Sequence, residues 1–251
     1  MRISRNDPRG RARWTGRRQA AHHGFQRGEH QVKIGIIGAG NIGGALVRRL
    51  TALGHDVSVA NSRGPETLAD LAAETGAKPV LFTEAARGAE VVVVTIPQAK
   101  VAGLPEGLLD EAAEGVAVID TGNYYPRERD GRIDEIEDGG LTESRWVANQ
   151  LGHTVVKVFN GIYAQHLQDK GVPAGTEGRI ALPVAGDDAA AKAKVLALVE
   201  ELGFDAYDAG GLDESWRQQP NTPSYGADAS LETLPKLLAE ASPKRTPEFT
   251  A

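Results

Sequence analysis

Val32-Lys33-Ile34-Gly35-Ile36-Ile37-Gly38-Ala39-Gly40-Asn41-Ile42-Gly43 decides how the rest of the chain is read. An apolar run ends in GxGxxG and opens onto a helix-like segment, Ile42–Leu53. Each glycine has its own task in such a turn. Gly38 permits the tight bend after the strand, Gly40 lets the backbone approach a pyrophosphate, and Gly43 lets the helix pack closely on the sheet. The helix N–H groups and dipole then favour phosphate. A lone GxGxxG is weak evidence; one that ends a strand, opens a helix and begins a βαβ unit points to a dinucleotide.

Outward from this turn the pattern alternates. Strand-like runs fall at Val32–Ile37, Asp56–Asn61, Val80–Phe82, Glu90–Ile96 and Val116–Asp120. Helix-like segments lie between them at Ile42–Leu53, Glu66–Thr75, Thr83–Arg87 and Pro105–Glu114, with Gly54 at a helix end and Pro65 at a helix start. Val91-Val92-Val93-Val94 is the continuous apolar run of a parallel strand buried on both faces. Tyr124–Gly140 reads as a polar loop. Beyond it come a helix capped by Thr142 and running to Leu151, a strand at Thr154–Phe159, and a Gly/Pro-rich loop at Asp169–Gly178. A strand at Ile180–Ala185, a helix over Ala189–Leu202 with Asp188 as N-cap, and a strand at Asp205–Asp208 follow. The end, from Trp216, is irregular apart from a short helix near Leu231–Ala239. The fold class is α/β: a Rossmann-like, doubly wound, mostly parallel sheet extended by a smaller C-terminal α/β part. The expected division is a nucleotide-binding domain over residues 32–165 and an extension over 166–251.

The strand ends carry the chemistry. After the second strand, NAD-specific folds place Asp or Glu on the ribose 2′-hydroxyl. Here Asn61-Ser62-Arg63 stands there instead, neutral and then basic. A hydroxyl and a guanidinium suit a 2′-phosphate, so NADP(H) is expected over NAD(H). The fourth strand ends in Thr95-Ile96-Pro97-Gln98 and the fifth in Asp120-Thr121-Gly122-Asn123. Ligands bind at the carboxyl ends of strands in open α/β sheets. Ile96, Pro97 and Asn123 are therefore candidates for the nicotinamide pocket, although Pro97 also serves as a strand terminator and Asn123 as a turn residue.

Composition narrows the function classes. The chain has 251 residues, 41% hydrophobic, enough for a sizeable core. It has no cysteine, which removes disulfides, thiolate catalysis and Cys-based metal sites and fits the cytoplasm. A net charge of −6 argues against general nucleic-acid binding, and no apolar run approaches the roughly 20 residues of a membrane span. Arg2, Arg5, Arg9, Arg11, Arg13, Arg17, Arg18 and Arg27 crowd the start against Asp7 and Glu29. With few apolar residues and no periodicity, residues 1–31 read as a disordered basic tail. A nucleic-acid or targeting role and a true start at Val32 are the other readings of it. His22-His23 has no metal-ligand context, and no metal site is expected.

In order along the chain, Gly38-Ala39-Gly40-Asn41-Ile42-Gly43, Asn61-Ser62-Arg63, Thr95-Ile96-Pro97, Val156-Lys157-Val158-Phe159-Asn160 and Asp208-Ala209-Gly210 with Leu212 resemble the F420-dependent NADP oxidoreductase family. The resemblance spans about Val32 to Leu212. It implies hydride transfer between NADPH and the deazaflavin coenzyme F420, with two small-molecule cofactors as partners and homo-oligomerisation left open. Carried over by position, Ala39 to Ile42 would meet the pyrophosphate, Ser62 and Arg63 the 2′-phosphate, and Ile96, Asn123 and Ala164 the nicotinamide. The cofactors carry the reaction, so no side-chain catalyst is expected. The chain departs from the family in three places. Gly64-Pro65-Glu66-Thr67 lacks the basic residue some members have after the arginine. Asn160-Gly161-Ile162-Tyr163-Ala164 replaces an Ile-Pro-Ala version. Trp216-Arg217-Gln218-Gln219-Pro220 and Pro223-Ser224-Tyr225-Gly226 stand where a hydrophobic helix is found in archaeal members.

Two other readings stay open: an NADPH-dependent reductase of a small imine, carbonyl or acid, and a non-catalytic NADP(H)-binding protein. The reductase needs a proton donor, for which Tyr163, three residues before His166, is the candidate. The plainer expectation makes Tyr163 a packing residue and His166 a surface or polar-contact one. Asp134, Glu135, Glu137 and Asp138 read as a solvated charge run. Trp216 and Tyr225 either stack on a planar ring or plug the domain edge, the second being preferred.

Overall fold

A computed structural model describes residues 31–251. The expected basic tail, with His22-His23, lies outside them except for Gln31. The chain opens with β1 (Lys33–Ile37), α1 (Asn41–Ala52), β2 (Asp56–Ala60), α2 (Ala69–Thr75), β3 (Lys78–Pro79), β4 (Val91–Val94) and β5 (Ala117–Asp120). It continues with α3 (Asp134–Glu137), α4 (Glu143–Leu151), β6 (Val156–Lys157), α5 (Ala164–Asp169), β7 (Ala181–Gly186), α6 (Ala189–Glu201), β8 (Asp205–Asp208) and α7 (Leu234–Glu240). The strands form one eight-stranded sheet in the order β3-β2-β1-β4-β5-β6-β7-β8. All neighbours are parallel except β6 and β7. This is the expected Rossmann-like sheet. Its extension, β7 and β8, continues the same sheet, and the sequence division at 165/166 falls inside α5.

The sheet has a core on each face, because side chains alternate along a strand. Val91 and Val93 of β4 join Ile34, Ile36, Leu46, Leu50 and Val59 on one side. Val92 and Val94 join Val118, Tyr124, Trp146 and Val147 on the other. Removing each such side chain from water stabilises the fold by roughly 1.5–3 kcal/mol. The strand order reverses between β1 and β4, and the ends of β2, β1, β4 and β5 open side by side along the sheet's carboxyl edge.

Local chemistry explains most element ends. Thr142 and Asp188 accept hydrogen bonds from the N–H groups of Arg145 and Ala191 and cap α4 and α6 as expected. Several expected elements are shorter. The strand at Val80–Phe82 is replaced by Lys78–Pro79, followed by a 3₁₀ turn at Phe82–Glu84. Helix Pro105–Glu114 does not form; a 3₁₀ segment at Gln98–Gly103 precedes turns punctuated by Gly103, Pro105 and Gly107. The strand at Thr154–Phe159 contracts to Val156–Lys157, since Phe159 turns left-handed (φ 64°) and bends the chain away. Tyr124–Gly140 is no solvated loop at its start: Tyr124 is fully buried, and its hydroxyl accepts from Ile133 N–H at 2.9 Å. Within the acidic run, Glu137 is half-buried and paired with Arg245.

Candidate functional site: the carboxyl edge of the sheet

The three glycines of the opening turn differ in what surrounds them. Gly38 has φ +114°, and a Cβ there would lie 2.2 Å from the Thr95 carbonyl oxygen. At Gly43 a Cβ would lie 2.0 Å from the Gly38 oxygen, so the helix rests directly on the turn. Gly40 faces open space, with nothing within 4 Å of a Cβ. It is the N-cap of α1, yet no side chain caps the helix and no acidic residue stands in its first turn. The backbone N–H groups of Asn41, Ile42 and Gly43 are therefore available to an anion.

An open cleft of about 1000 Å³ runs from this turn between α1, α2 and α5. Ala39, Gly40, Asn41, Arg63, Thr67 and Ala164 all line it. Asn61 does not present its side chain to the cleft. Its Oδ1 accepts from Arg63 N–H (2.9 Å) and its Nδ2 donates to Thr67 Oγ1 (2.9 Å), fixing the loop after β2. Ser62 and Arg63 are exposed on that loop, and the Arg63 guanidinium has no ion-pair partner among the described residues. Ile96 packs over the turn, its Cγ2 3.0 Å from where a Gly38 Cβ would be, and Pro97 caps the 3₁₀ segment after β4. These two and Asn123 lie outside the cleft's lining, further along the same edge.

Asn123 belongs to a second cluster. Its Nδ2 donates to Asn160 O (2.9 Å), and its Oδ1 accepts from Asn160 Nδ2 (3.0 Å). The Tyr225 hydroxyl lies 3.4 Å from Asn123 Nδ2 and 2.6 Å from the Tyr125 hydroxyl. Burial, and then the contact with Tyr125, holds the Tyr225 phenol well above its ordinary range, so it stays protonated at neutral pH. Tyr225 thus faces Asn123 rather than serving only as an edge plug; Trp216 instead stacks under the Arg217 guanidinium, 4.3 Å from the ring centre. Tyr163 is 59% exposed, against the packing expectation, and sits edge-on to His166. His166 Nδ1 lies 2.7 Å from Asp228.

Beneath Asn123 lies a buried charge network. Lys157 is fully buried; its Nζ donates to Gly122 O (2.5 Å) and lies 3.3 Å from Asp120 Oδ2. Asp120 Oδ1 accepts from Gly122 N–H (2.8 Å), and its Oδ2 accepts from Ser144 (2.6 Å). Gly122, next to Asn123, is held at both its N–H and its C=O. Glu143, also fully buried, lies 3.9 Å from Lys157 and accepts from Arg245 at 2.8 Å. Burial pushes the Glu143 carboxyl up, against the opposing pull of Lys157 and Arg245. In the sequence Asp120 and Lys157 stand only as members of strand-end motifs. The signal was a lysine inside an apolar strand, which requires a buried partner. For Tyr125 and Glu143 there was none.

The family model of NADP oxidoreductases, coenzyme F420-dependent, matches residues 33–124, from β1 to just beyond Asn123. A candidate F420-dependent NADP reductase from Arthrobacter sp. FB24 is 26% identical, with TM-score 0.57 over 73% of this chain and 87% of that one. Over residues 33–124 the chain is similar to this family. A hypothetical protein of Sinorhizobium meliloti is also similar, at 30% identity and TM-score 0.65 over 79% of this chain and 94% of that one. Of the curated relatives, protein YjhV of Escherichia coli is 48% identical over 63 residues, and metalloreductase STEAP3 of Rattus norvegicus 31% over 182. Those alignments take in 25% and 72% of this chain, but only 46% and 34% of the relatives' own lengths. The family is one of NADP-dependent oxidoreductases. No helix among the described residues is long and apolar enough to cross a membrane.

Proposed function

We infer that this protein moves hydride between NADPH and a planar redox partner, the deazaflavin coenzyme F420 or a related flavin. One observation carries the reading. An uncapped helix N-terminus, an unpaired Arg63 and the Asn123 cluster lie along one sheet edge at the topological switch. The residues fit NADP(H): Ala39, Gly40, Asn41 and Ile42 offer backbone N–H groups to the pyrophosphate, and Ser62 and Arg63 offer donors to the 2′-phosphate. Asn61 shapes the loop that carries them. Ile96 and Pro97 would wall the nicotinamide, Asn123 would border it, and Ala164 would close the cleft at the head of α5.

When bound, NADPH supplies a hydride from nicotinamide C4. The chain's own residues position rather than react. The Asp120–Lys157 clamp on Gly122 keeps Asn123 in place, and the left-handed Phe159 aims Asn160 at it.

The tyrosines favour a second reading, reduction of a small imine or carbonyl. Tyr125 and Tyr225 own two hydroxyl protons and share one contact, so one proton is left without an acceptor among the described residues. It is a better-placed donor than the exposed Tyr163.

The test is anaerobic mixing of the protein and NADPH with coenzyme F420, FMN and FAD in turn, then with a cyclic imine and an aldehyde, following NADPH absorbance. Turnover with the deazaflavin or a flavin supports the first reading, and turnover with only the imine or aldehyde supports the second. Tight NADPH binding with no turnover on any of them overturns both.

A further inference from the structure

The cleft holds a second cation besides Arg63. Arg48, on α1, lines it together with Arg63. Glu74 of α2 grips the Arg48 guanidinium side-on, accepting from Nε at 2.6 Å and from Nη2 at 2.8 Å. That bidentate contact leaves Nη1 over, and Nη1 makes no hydrogen bond among the described residues. Its position is set by a residue outside the GxGxxG pattern. At Gly44 a Cβ would come within 3.2 Å of Arg48 Nη1, the one atom within 4 Å beyond the adjoining residues and the helix backbone. Side chains on a helix lean back toward its N-terminus, and Gly44 leaves room for this arginine to do so. The free N–H groups of Nη1 therefore lie over the first turn of α1, the turn capped by Gly40.

We propose that Arg48, held by Glu74 and admitted by Gly44, is a second arm of the 2′-phosphate site, in the same cleft as Arg63. The inference rests on the NADP(H) reading of the cleft. It fills a gap left by the sequence, in which Gly64-Pro65-Glu66-Thr67 has no basic residue to follow Arg63. The cleft also carries two carboxylates, Asp70 and Glu74. Arg48 and Glu74 neutralise each other, so Arg48 offers a phosphate hydrogen-bond donors rather than net charge, and Arg63 supplies the unpaired cation. A phosphate is recognised through paired N–H groups in a plane, and a side-on arginine retains such a pair at its tip, one N–H of Nη1 and the second N–H of Nη2. Glu74 acts here as a positioning residue: it costs the arginine two donors and fixes the direction of the rest.

The test compares four ligands by calorimetric titration: NADPH, NADH, 2′-phospho-AMP and 5′-AMP. Arg48→Gln is expected to weaken NADPH and 2′-phospho-AMP on the order of tenfold to a hundredfold and leave NADH and 5′-AMP unchanged. Arg48→Lys keeps the charge without the fork and should recover part of the loss. Gly44→Ala should weaken the same two ligands by displacing Nη1, and Glu74→Gln should weaken them less than Arg48→Gln. Thermal unfolding of each variant separates misfolding from lost binding. Equal losses for phosphorylated and unphosphorylated ligands, or none, overturn the proposal, as does a gain in NADPH affinity for Glu74→Gln. Arg63→Ala distinguishes the two levels. If it discriminates the ligands while Arg48→Gln does not, this inference alone fails. If neither discriminates, the NADP(H) reading of the cleft fails with it.

Discussion

The two ends of the candidate site are built by different means. At the nucleotide end, the turn between β1 and α1 is made of consecutive residues, and its working parts are backbone N–H groups and missing side chains. At the far end, Asn123 is held by groups from distant parts of the chain: Asn160, Tyr225, Tyr125, and the Asp120–Lys157 pair with Glu143 and Arg245 behind it. A backbone cradle needs only small residues at fixed spacing. A side-chain cluster needs the whole sheet in register before any of its members meet. The first is a property of a segment, the second of the fold.

That contrast can be broken most directly at the buried charges. Lys157→Met leaves Asp120 and Glu143 without their central cation, and should destabilise the protein by about 3–5 kcal/mol, measured by chemical denaturation. A loss below about 1 kcal/mol, as for an exposed pair, would mean the cluster does not depend on it. The glycines come next. Gly43→Ala drives a Cβ into the Gly38 carbonyl and should destabilise by about 1–3 kcal/mol or more. Gly40→Ala meets nothing, so melting should stay near wild type while NADPH affinity falls. Equal melting losses in both variants would erase the distinction between packing and approach.

Arg63→Ala should weaken NADPH by about 1–3 kcal/mol and NADH hardly at all, since only the first carries the 2′-phosphate. Identical losses for both would remove the 2′-phosphate role. Tyr225→Phe takes away one hydroxyl from the Asn123 cluster and should lower stability by about 0.5–1.5 kcal/mol. Its affinity for 2′-phospho-AMP should not change, because that ligand occupies only the nucleotide end; a fall there would join the two ends.

Glu143 gives the subtlest effect. Its folded-state carboxyl is pushed up from 4.5 by burial, so the folded protein holds this proton at pH values where the unfolded chain has lost it. Its contribution to stability is present below about 4.5 and is lost as pH rises through the higher folded value. Glu143→Gln has no such proton. Across a melting series from acid to neutral pH, the difference between variant and wild type should shift in the variant's favour. Parallel curves would contradict the raised carboxyl.

Legibility followed the same division. Periodicity located β1, α1, β2, β4, β5 and α6 because each carries a continuous apolar face or run. It misplaced the third strand by two residues and lost the helix expected at Pro105–Glu114, where Gly103, Pro105 and Gly107 interrupt the backbone. The motif placed Ala39, Gly40, Asn41 and Arg63 along one cleft. It could not indicate that Asn61 would spend its amide on Arg63 N–H and Thr67. Tyr225 was legible as an aromatic residue near a family departure, but its hydroxyl partner lies 100 residues away.

The sequence alone determined the α/β alternation, the glycine turn after β1 and the neutral-then-basic Asn61-Ser62-Arg63 after β2, since each depends on residue type at short fixed spacing. Only the tertiary structure decided which side chains stand around Asn123, that Lys157 is buried against Asp120, and that Arg48 turns a free Nη1 over Gly44. Those facts depend on strand order and helix packing, which bring together groups that have no local reason to meet.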